Sequence, residues 1–189
     1  MNHATHPWRL RLARQIIQAG GLIAYPTEAV FGLGCHPLDP AAVSRLLSLK
    51  RRPIEKGLIL ISDSFERLQP FLQPLAEEQT RVLLQSWPGP TTWLVPAAAT
   101  TPRWLTGSHS SLAVRVTSHP LAAALCHIAD TPLVSTSANL GGHPPARSPL
   151  QVRMRCGPGI DLVLHGRTGD RDRPTVIRDA LNGALGGWA

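Results

Sequence analysis

The sequence predicts an α/β fold, with short buried strands alternating with helices about a single sheet. Apolar runs of strand length recur at 22–25, 58–61 and 133–134. Segments of helical spacing with recognisable caps lie between them. The 16 glycines and 18 prolines among 189 residues supply the many turns that such an alternation needs.

Leu12, Ala13, Ile16 and Ile17 recur at helical spacing within 9–19, and Gly20-Gly21 ends that helix. Residues 22–25 follow as a short buried strand. It delivers the chain into Pro26-Thr27-Glu28-Ala29-Val30-Phe31-Gly32-Leu33-Gly34-Cys35. The two glycines suit a backbone that turns sharply or approaches a ligand closely, and a strand-to-loop corner packed on the core would read the same way. Asp39-Pro40 is an N-cap followed by Pro at the first helical position, opening a helix through Val43, Leu46 and Leu47 to Lys50. A basic loop leads from Lys50 to a buried strand at 58–61, which anchors its far side.

A helical region over about 65–85, broken near 70–74, precedes the rigid turn chemistry of Trp87-Pro88-Gly89-Pro90-Thr91 and a strand at 92–95. Residues 97–107 read as a Thr/Pro-rich loop. In Ser111-Leu112-Ala113-Val114-Arg115-Val116 the alternation puts Leu112, Val114 and Val116 on one face and Arg115 on the other. Ser118 reads as the cap of a helix running to 129. The strand at 133–134 ends in Ser135-Thr136-Ser137-Ala138-Asn139. A helix opened by Ser148-Pro149 and strands at 161–165 and 175–177 complete the chain. Residues 166–174, with Arg167, Arg171 and Arg173 interleaved with Asp170 and Asp172, read as a solvated loop. The length fits one domain over 1–189.

The formal net charge is +7, which points to a polyanionic partner, nucleotide or nucleic acid. No Asp or Glu occurs from 79 to 129, while Arg81, Arg103 and Arg115 fall inside that stretch. An anionic ligand suits such a wall, as does an apolar core segment with few charges of any kind. The first ten residues have no apolar core of signal-peptide type, and nowhere do about 18 apolar residues run together as a membrane span requires, so a cytoplasmic protein is expected. Cys35, Cys126 and Cys156 lie far apart without Cys-x-x-Cys spacing, which indicates neither a disulfide framework nor a zinc site.

Lys50 and Lys56 are the only lysines beside 17 arginines, and they bracket Arg51 and Arg52. A compact ammonium suits contact with a single oxygen, so this stretch reads as a phosphate cradle, or equally as a helix ending in residues that its C-terminal dipole favours. The Ser135 to Asn139 run can donate to anionic oxygens or form a Ser/Asn turn, the commoner fate of such clusters; its position at a strand end, where ligand crevices of α/β sheets lie, speaks for the first. There is no Gly-x-x-x-x-Gly-Lys-Ser/Thr loop, no Gly-x-Gly-x-x-Gly after a strand, no His-Glu-x-x-His and no Gly-x-Ser-x-Gly elbow. What remains is a set of positive and hydrogen-bonding groups suited to a phosphate.

Lys50-x-Arg52 with Ser137-x-Asn139 carries a resemblance to the YrdC-like family. It extends through Ala24-Tyr25-Pro26-Thr27-Glu28-Ala29-Val30-Phe31-Gly32, Lys56-Gly57-Leu58-Ile59-Leu60, Trp87-Pro88-Gly89-Pro90, Ser111 to Val116 and Pro132 to Leu140. The resemblance implies a single twisted mixed-sheet domain with flanking helices and a positively charged concave face. It implies an enzyme, a nucleotidyltransferase that joins L-threonine, bicarbonate or CO2, and ATP into threonylcarbamoyl-AMP and diphosphate, with Mg2+ expected beside the ATP. Other proteins then carry the threonylcarbamoyl group to adenosine 37 of tRNAs reading codons that begin with A. By resemblance Lys50, Arg52, Ser137 and Asn139 are catalytic and nucleotide-binding, with Lys56 and Ser111 also on the nucleotide side. Thr27, Ala29, Arg115 and Ser135 fall on the threonine side. Gly141 stands where family members often carry Ser, and Gly186-Gly187-Trp188-Ala189 stands where many have an Arg-containing segment.

The competing reading is a non-catalytic RNA-binding module using the same basic surface. Readers of single-stranded RNA display stacking aromatics, whereas Phe, Tyr and Trp make up 5% here with no basic-aromatic interleaving. A third reading keeps the site and changes the amino acid it accepts.

Overall fold

The computed structural model describes residues 6–171 and 175–186. Among the described residues eight strands join in one sheet: β1 (Ile23–Pro26), β2 (Phe31–Gly34), β3 (Ile59–Ser62), β4 (Thr91–Pro96), β5 (Ser111–Val116), β6 (Leu133–Ser137), β7 (Leu162–Val163) and β8 (Val176–Asp179). Their order is β7-β1-β2-β6-β3-β5-β4-β8. The sheet is mixed. β1–β7, β3–β5 and β4–β8 are parallel pairs, and β1–β2, β2–β6, β3–β6 and β4–β5 are antiparallel. The helices are α1 (Pro7–Gln18), α2 (Pro40–Lys50), α3 (Glu77–Ser86), α4 (Arg103–Thr106), α5 (Pro120–Ala129) and α6 (Pro149–Cys156). No described helix is long and apolar enough to cross a membrane.

Strand alternation sorts the core into two clusters, one on each side of the sheet. Ala24, Phe31, Leu33, Leu60, Leu112, Val114 and Val134 pack with Val43 and Leu46 of α2 and Leu83 of α3. Ile23, Tyr25, Ile61 and Leu133 pack with Leu10, Ala13 and Ile17 of α1 and with Leu121 and Leu125 of α5. Each fully buried Leu or Ile contributes roughly 1.5–3 kcal/mol by leaving water. The second cluster ends partway along its strands. Beyond Ile61 and Leu133 the same face continues to Ile59, Ser135 and Ser137, and there a cleft opens.

Several elements differ from the sequence reading. The glycine-punctuated segment after β1 is a strand, β2, paired on both sides. Glycine is disfavoured in strands by propensity, but here close packing demands it: a Cβ on Gly34 would sit 2.5 Å from the Val134 carbonyl oxygen. The cap of α5 is His119, whose Nδ1 accepts from the Ala122 N–H, and the Ser118 N–H turns instead to Glu28. Only α3 is a continuous helix within 65–85, preceded by a 3₁₀ turn at Gln69–Phe71. The loop at 97–107 contains the single turn α4, the strand expected at 161–165 shrinks to β7, and the last strand begins at Val176. The solvated loop expected at 166–174 lies partly outside the described residues.

The cap of α2 matches expectation. The Asp39 carboxylate accepts from the Ala41 and Ala42 N–H groups at 2.9 and 3.0 Å, and Pro40 follows it. At its other end Arg51 takes a left-handed conformation, φ 50°, unusual for a residue with a side chain.

Candidate active site

The left-handed turn at Arg51 decides the fate of the basic stretch. Of its four charges only Arg52 borders the cleft on the sheet face. Arg51 borders an apolar cavity of about 580 Å³ lined in part by Val43, Leu47, Ile54 and Trp104. Arg52 borders both that cavity and the cleft on the sheet face. Lys56 ends an exposed 3₁₀ turn (Ile54–Lys56) and does not line the cleft; its carbonyl oxygen accepts from Arg52 Nη2 at 3.3 Å. Arg52 Nε and Nη2 also donate to the Gly57 carbonyl, at 3.2 and 3.1 Å.

Lys50 turns inward and is only 6% exposed. Its Nζ donates to the Ser137 carbonyl at 2.5 Å, to the Asn139 carbonyl at 3.0 Å and to Asn139 Oδ1 at 2.9 Å. Ser137 Oγ donates to the same Oδ1 at 2.6 Å, and Asn139 Nδ2 donates to the Leu140 and His143 carbonyls. An ammonium has three donors, and here each has an acceptor. Burial, reinforced by the neighbouring charge of Arg52, pushes Lys50 down to about 8, and burial likewise lowers Arg52. Lys50, Ser137 and Asn139, 87 and 89 residues apart from the lysine in sequence, thus form one network at the end of β6.

The cleft holds about 300 Å³ and is bordered by Thr27, Ala29, Arg52, Arg115, Ser135 and Ser137. Alternation in β5 sends Arg115 to this face as expected, opposite the buried Leu112, Val114 and Val116. Arg115 pairs in register with Ile61 and is 5% exposed. Its counter-charge is Glu28, whose Oε2 lies 3.5 Å from Arg115 Nη2. Glu28 Oε1 accepts from Thr117 Oγ1 at 2.6 Å and from the Ser118 N–H at 3.0 Å. Burial acts to raise the Glu28 carboxyl, but Arg115, Thr117 and Ser118 outweigh it and hold the group below the usual carboxylate range.

Thr27 Oγ1 donates to the Val30 carbonyl at 2.8 Å, closing the turn that swings the chain from β1 into β2 and bringing Ala29 to the cleft wall. Gly32 permits that closeness: a Cβ there would stand 3.3 Å from Thr27 Cγ2 and 3.4 Å from Ser135 Oγ. Ser111 opens β5 on the face that carries Arg115 but does not border the cleft. Ile59, Thr175 and Ile177 do border it, and the sequence reading passed over them. Ile59 has the signal of its strand parity. Thr175 and Ile177 have none, since β8 reaches the cleft only by pairing with β4 at the far edge of the sheet.

Tyr25 Oη, Glu28 Oε2 and Arg115 Nε are buried side-chain atoms without a hydrogen-bond partner among the described residues. Tyr25 packs beneath Gly32 and Gly34, and Arg115 borders the cleft, so unsatisfied polarity gathers under its floor. Among the described residues no group of three His, Cys, Asp or Glu is placed to hold a metal ion. The arrangement suits an anionic ligand with a carboxylate at Arg115 and phosphate oxygens towards Arg52 and the Ser137 end of β6.

A family profile named for Sua5, YciO and YrdC, described as telomere recombination, matches residues 15–185. Among curated proteins, the threonylcarbamoyl-AMP synthase of Nitrosococcus oceani is 54% identical over 176 residues, 93% of this chain and 95% of that one. The threonylcarbamoyl-AMP synthase of Escherichia coli O6:H1 is 51% identical over 187 residues, 98% of both chains. Among solved structures, P. abyssi Sua5 complexed with L-threonine superposes with a TM-score of 0.87 at 33% identity, covering 92% of this chain and 51% of that one. The chain therefore spans about half the length of that protein.

Proposed function

The chain belongs to the Sua5/YciO/YrdC family, and from that premise we propose that it is a threonylcarbamoyl-AMP synthase, an ATP-using transferase that acts on L-threonine. The observation that carries this reading is the meeting, at one cleft, of a buried arginine suited to a carboxylate and the hydrogen-bonded end of β6 suited to phosphates. The names of relatives matched over nearly their whole length support it and leave the RNA-binding reading unsupported.

In this reading Arg115 forks onto the threonine carboxylate, while Thr27, Ala29 and Ser135 shape the pocket for the rest of the amino acid. The threonine amine attacks the carbon of CO2 and releases a proton, or that of bicarbonate with loss of water, and becomes a carbamate. Its oxygen attacks the α-phosphorus of ATP, the bond to the β-phosphate oxygen breaks, and diphosphate leaves. A carbamate is already an anionic nucleophile, so the step needs alignment and charge neutralisation more than a strong base. Arg52 supplies positive charge, and the Ser137 hydroxyl, which donates to Asn139 Oδ1 without ligand, turns to a phosphate oxygen while Lys50 keeps its bond to that Oδ1. Lys50 and Asn139 hold the β6 end in the shape that receives the nucleotide, and Lys56 and Ser111 lie further out on the nucleotide side.

Mg2+ accompanies ATP as a counter-ion of the triphosphate. The acid beside the cleft, Glu28, is committed to Thr117, Ser118 and Arg115, which fits an ion brought by the nucleotide better than one held by the chain. The product passes to the proteins that modify adenosine 37 of tRNA, in the cytoplasm. The test is diphosphate release from ATP and bicarbonate with L-threonine, L-serine or no amino acid. Threonine-dependent release is expected, and its absence in folded protein would overturn the reading.

A further inference from the structure

Glu28 stands behind the cation of the cleft, and the chemistry above gives it no part. Two donors from the chain that follows β5, Thr117 Oγ1 and the Ser118 N–H, fix its Oε1. Its main chain is fixed as well. The Glu28 carbonyl accepts from the Arg171 N–H at 3.3 Å, and the Thr27 carbonyl from the Gly169 N–H at 2.9 Å. Gly169 packs so closely that a Cβ there would lie 2.6 Å from the Glu28 carbonyl oxygen. The carboxylate therefore has little freedom to move.

Its relation to Arg115 is unusual for so buried a pair. A guanidinium and a carboxylate in contact usually form two parallel hydrogen bonds, which consume the fork. Here Oε2 stays 3.5 Å from Nη2, and among the described residues neither Oε2 nor Arg115 Nε has a hydrogen-bond partner. Glu28 neutralises Arg115 without bonding to it, because Thr117 and Ser118 hold it back.

We propose that Glu28 is a positioning residue for Arg115: a fixed counter-charge, held by Thr117, that aims the guanidinium into the cleft and leaves its fork open for the substrate carboxylate. This rests on the reading of Arg115 as the group that receives threonine. Affinity for the amino acid then depends on a residue that never touches it.

Glu28→Gln is the test. It preserves the oxygen that accepts from Thr117 and Ser118 and replaces the anionic Oε2 with an amide that repels the guanidinium. The KM for L-threonine is expected to rise about tenfold or more, with kcat and the KM for ATP within about twofold, as for loss of uniform binding to one substrate. Thr117→Val should raise the threonine KM in the same direction by less, and the double variant should be no worse than Glu28→Gln alone, since the two act in one line. Glu28→Asp should restore part of the affinity. If wild type is active and Glu28→Gln leaves the threonine KM unchanged, the inference is overturned and the functional reading stands. It is equally overturned if both KM values rise together with a fall in Tm, or, where Glu28→Gln does not fold, if Thr117→Val leaves the threonine KM unchanged. Wild type without threonine-dependent release overturns the functional reading and this inference with it.

Discussion

The Lys50 ammonium donates to the Ser137 carbonyl at 2.5 Å, joining the last residue of α2 to the last residue of β6 across 87 positions of sequence. The same nitrogen binds both oxygens of Asn139. Lys50 is therefore a tie inside the site before it is a contact for any ligand, and Arg52, two residues on, is the more accessible cation.

That difference separates the two variants. Lys50→Met leaves buried oxygens of Ser137 and Asn139 without their donor, at a cost of about 1–3 kcal/mol for each group left unsatisfied. Thermal unfolding should show a Tm lower by several degrees, with turnover lost. Arg52→Ala removes bonds that are partly exposed, and should keep the Tm within about two degrees while kcat/KM falls by about 100-fold or more. Equal Tm losses for the two would contradict the assignment.

Lys50 also predicts a pH dependence. With a native value near 8 against 10.5 for the free side chain, the native state holds fewer protons than the unfolded state between those values. This group's contribution to stability therefore rises as pH rises through that window. Activity should fall there, because the neutral amine has one donor fewer for Ser137 and Asn139. Rate profiles should show an alkaline limb near pH 8 with no matching loss of Tm from pH 8 to 9.

Breaking the Arg115–Glu28 pair from the arginine side strands a buried carboxylate. Arg115→Met should cost about 3–5 kcal/mol in denaturant unfolding, as one-sided loss of a buried pair does. Combining it with Glu28→Gln should recover most of that stability without restoring threonine-dependent diphosphate release. Recovery of activity in the double variant would remove Arg115 from substrate binding.

Gly32 and Gly34 should respond differently to the same change. On Gly34 a Cβ meets the Val134 carbonyl at 2.5 Å, so Gly34→Ala must shift backbone and should destabilise by about 1–3 kcal/mol. On Gly32 the neighbours are side-chain atoms at 3.3 and 3.4 Å. Gly32→Ala should fold normally and raise the threonine KM by narrowing the cleft beside Ser135. Kinetics and Tm measured on both variants check the contrast.

The sequence by itself determined what local periodicity and capping decide. The alternation of helices and strands, the Asp39-Pro40 start of α2, the Ser148 start of α6 and the side of β5 from which Arg115 emerges follow from repeats of 3.6 and 2 residues and from backbone groups satisfied within one turn. Lys50-x-Arg52 and Ser137-x-Asn139, with the blocks around Thr27, Lys56, Pro88, Arg115 and Ser135, also pointed to the family. Only the tertiary structure decided that Arg52 and not Arg51 borders the cleft, that Lys50 is buried against Ser137 and Asn139, that Glu28 backs Arg115, and that Thr175 and Ile177 close the cleft from the opposite edge. Each depends on which strands become neighbours, and strand order is set by the burial of two sheet faces at once, a condition that no window of sequence contains.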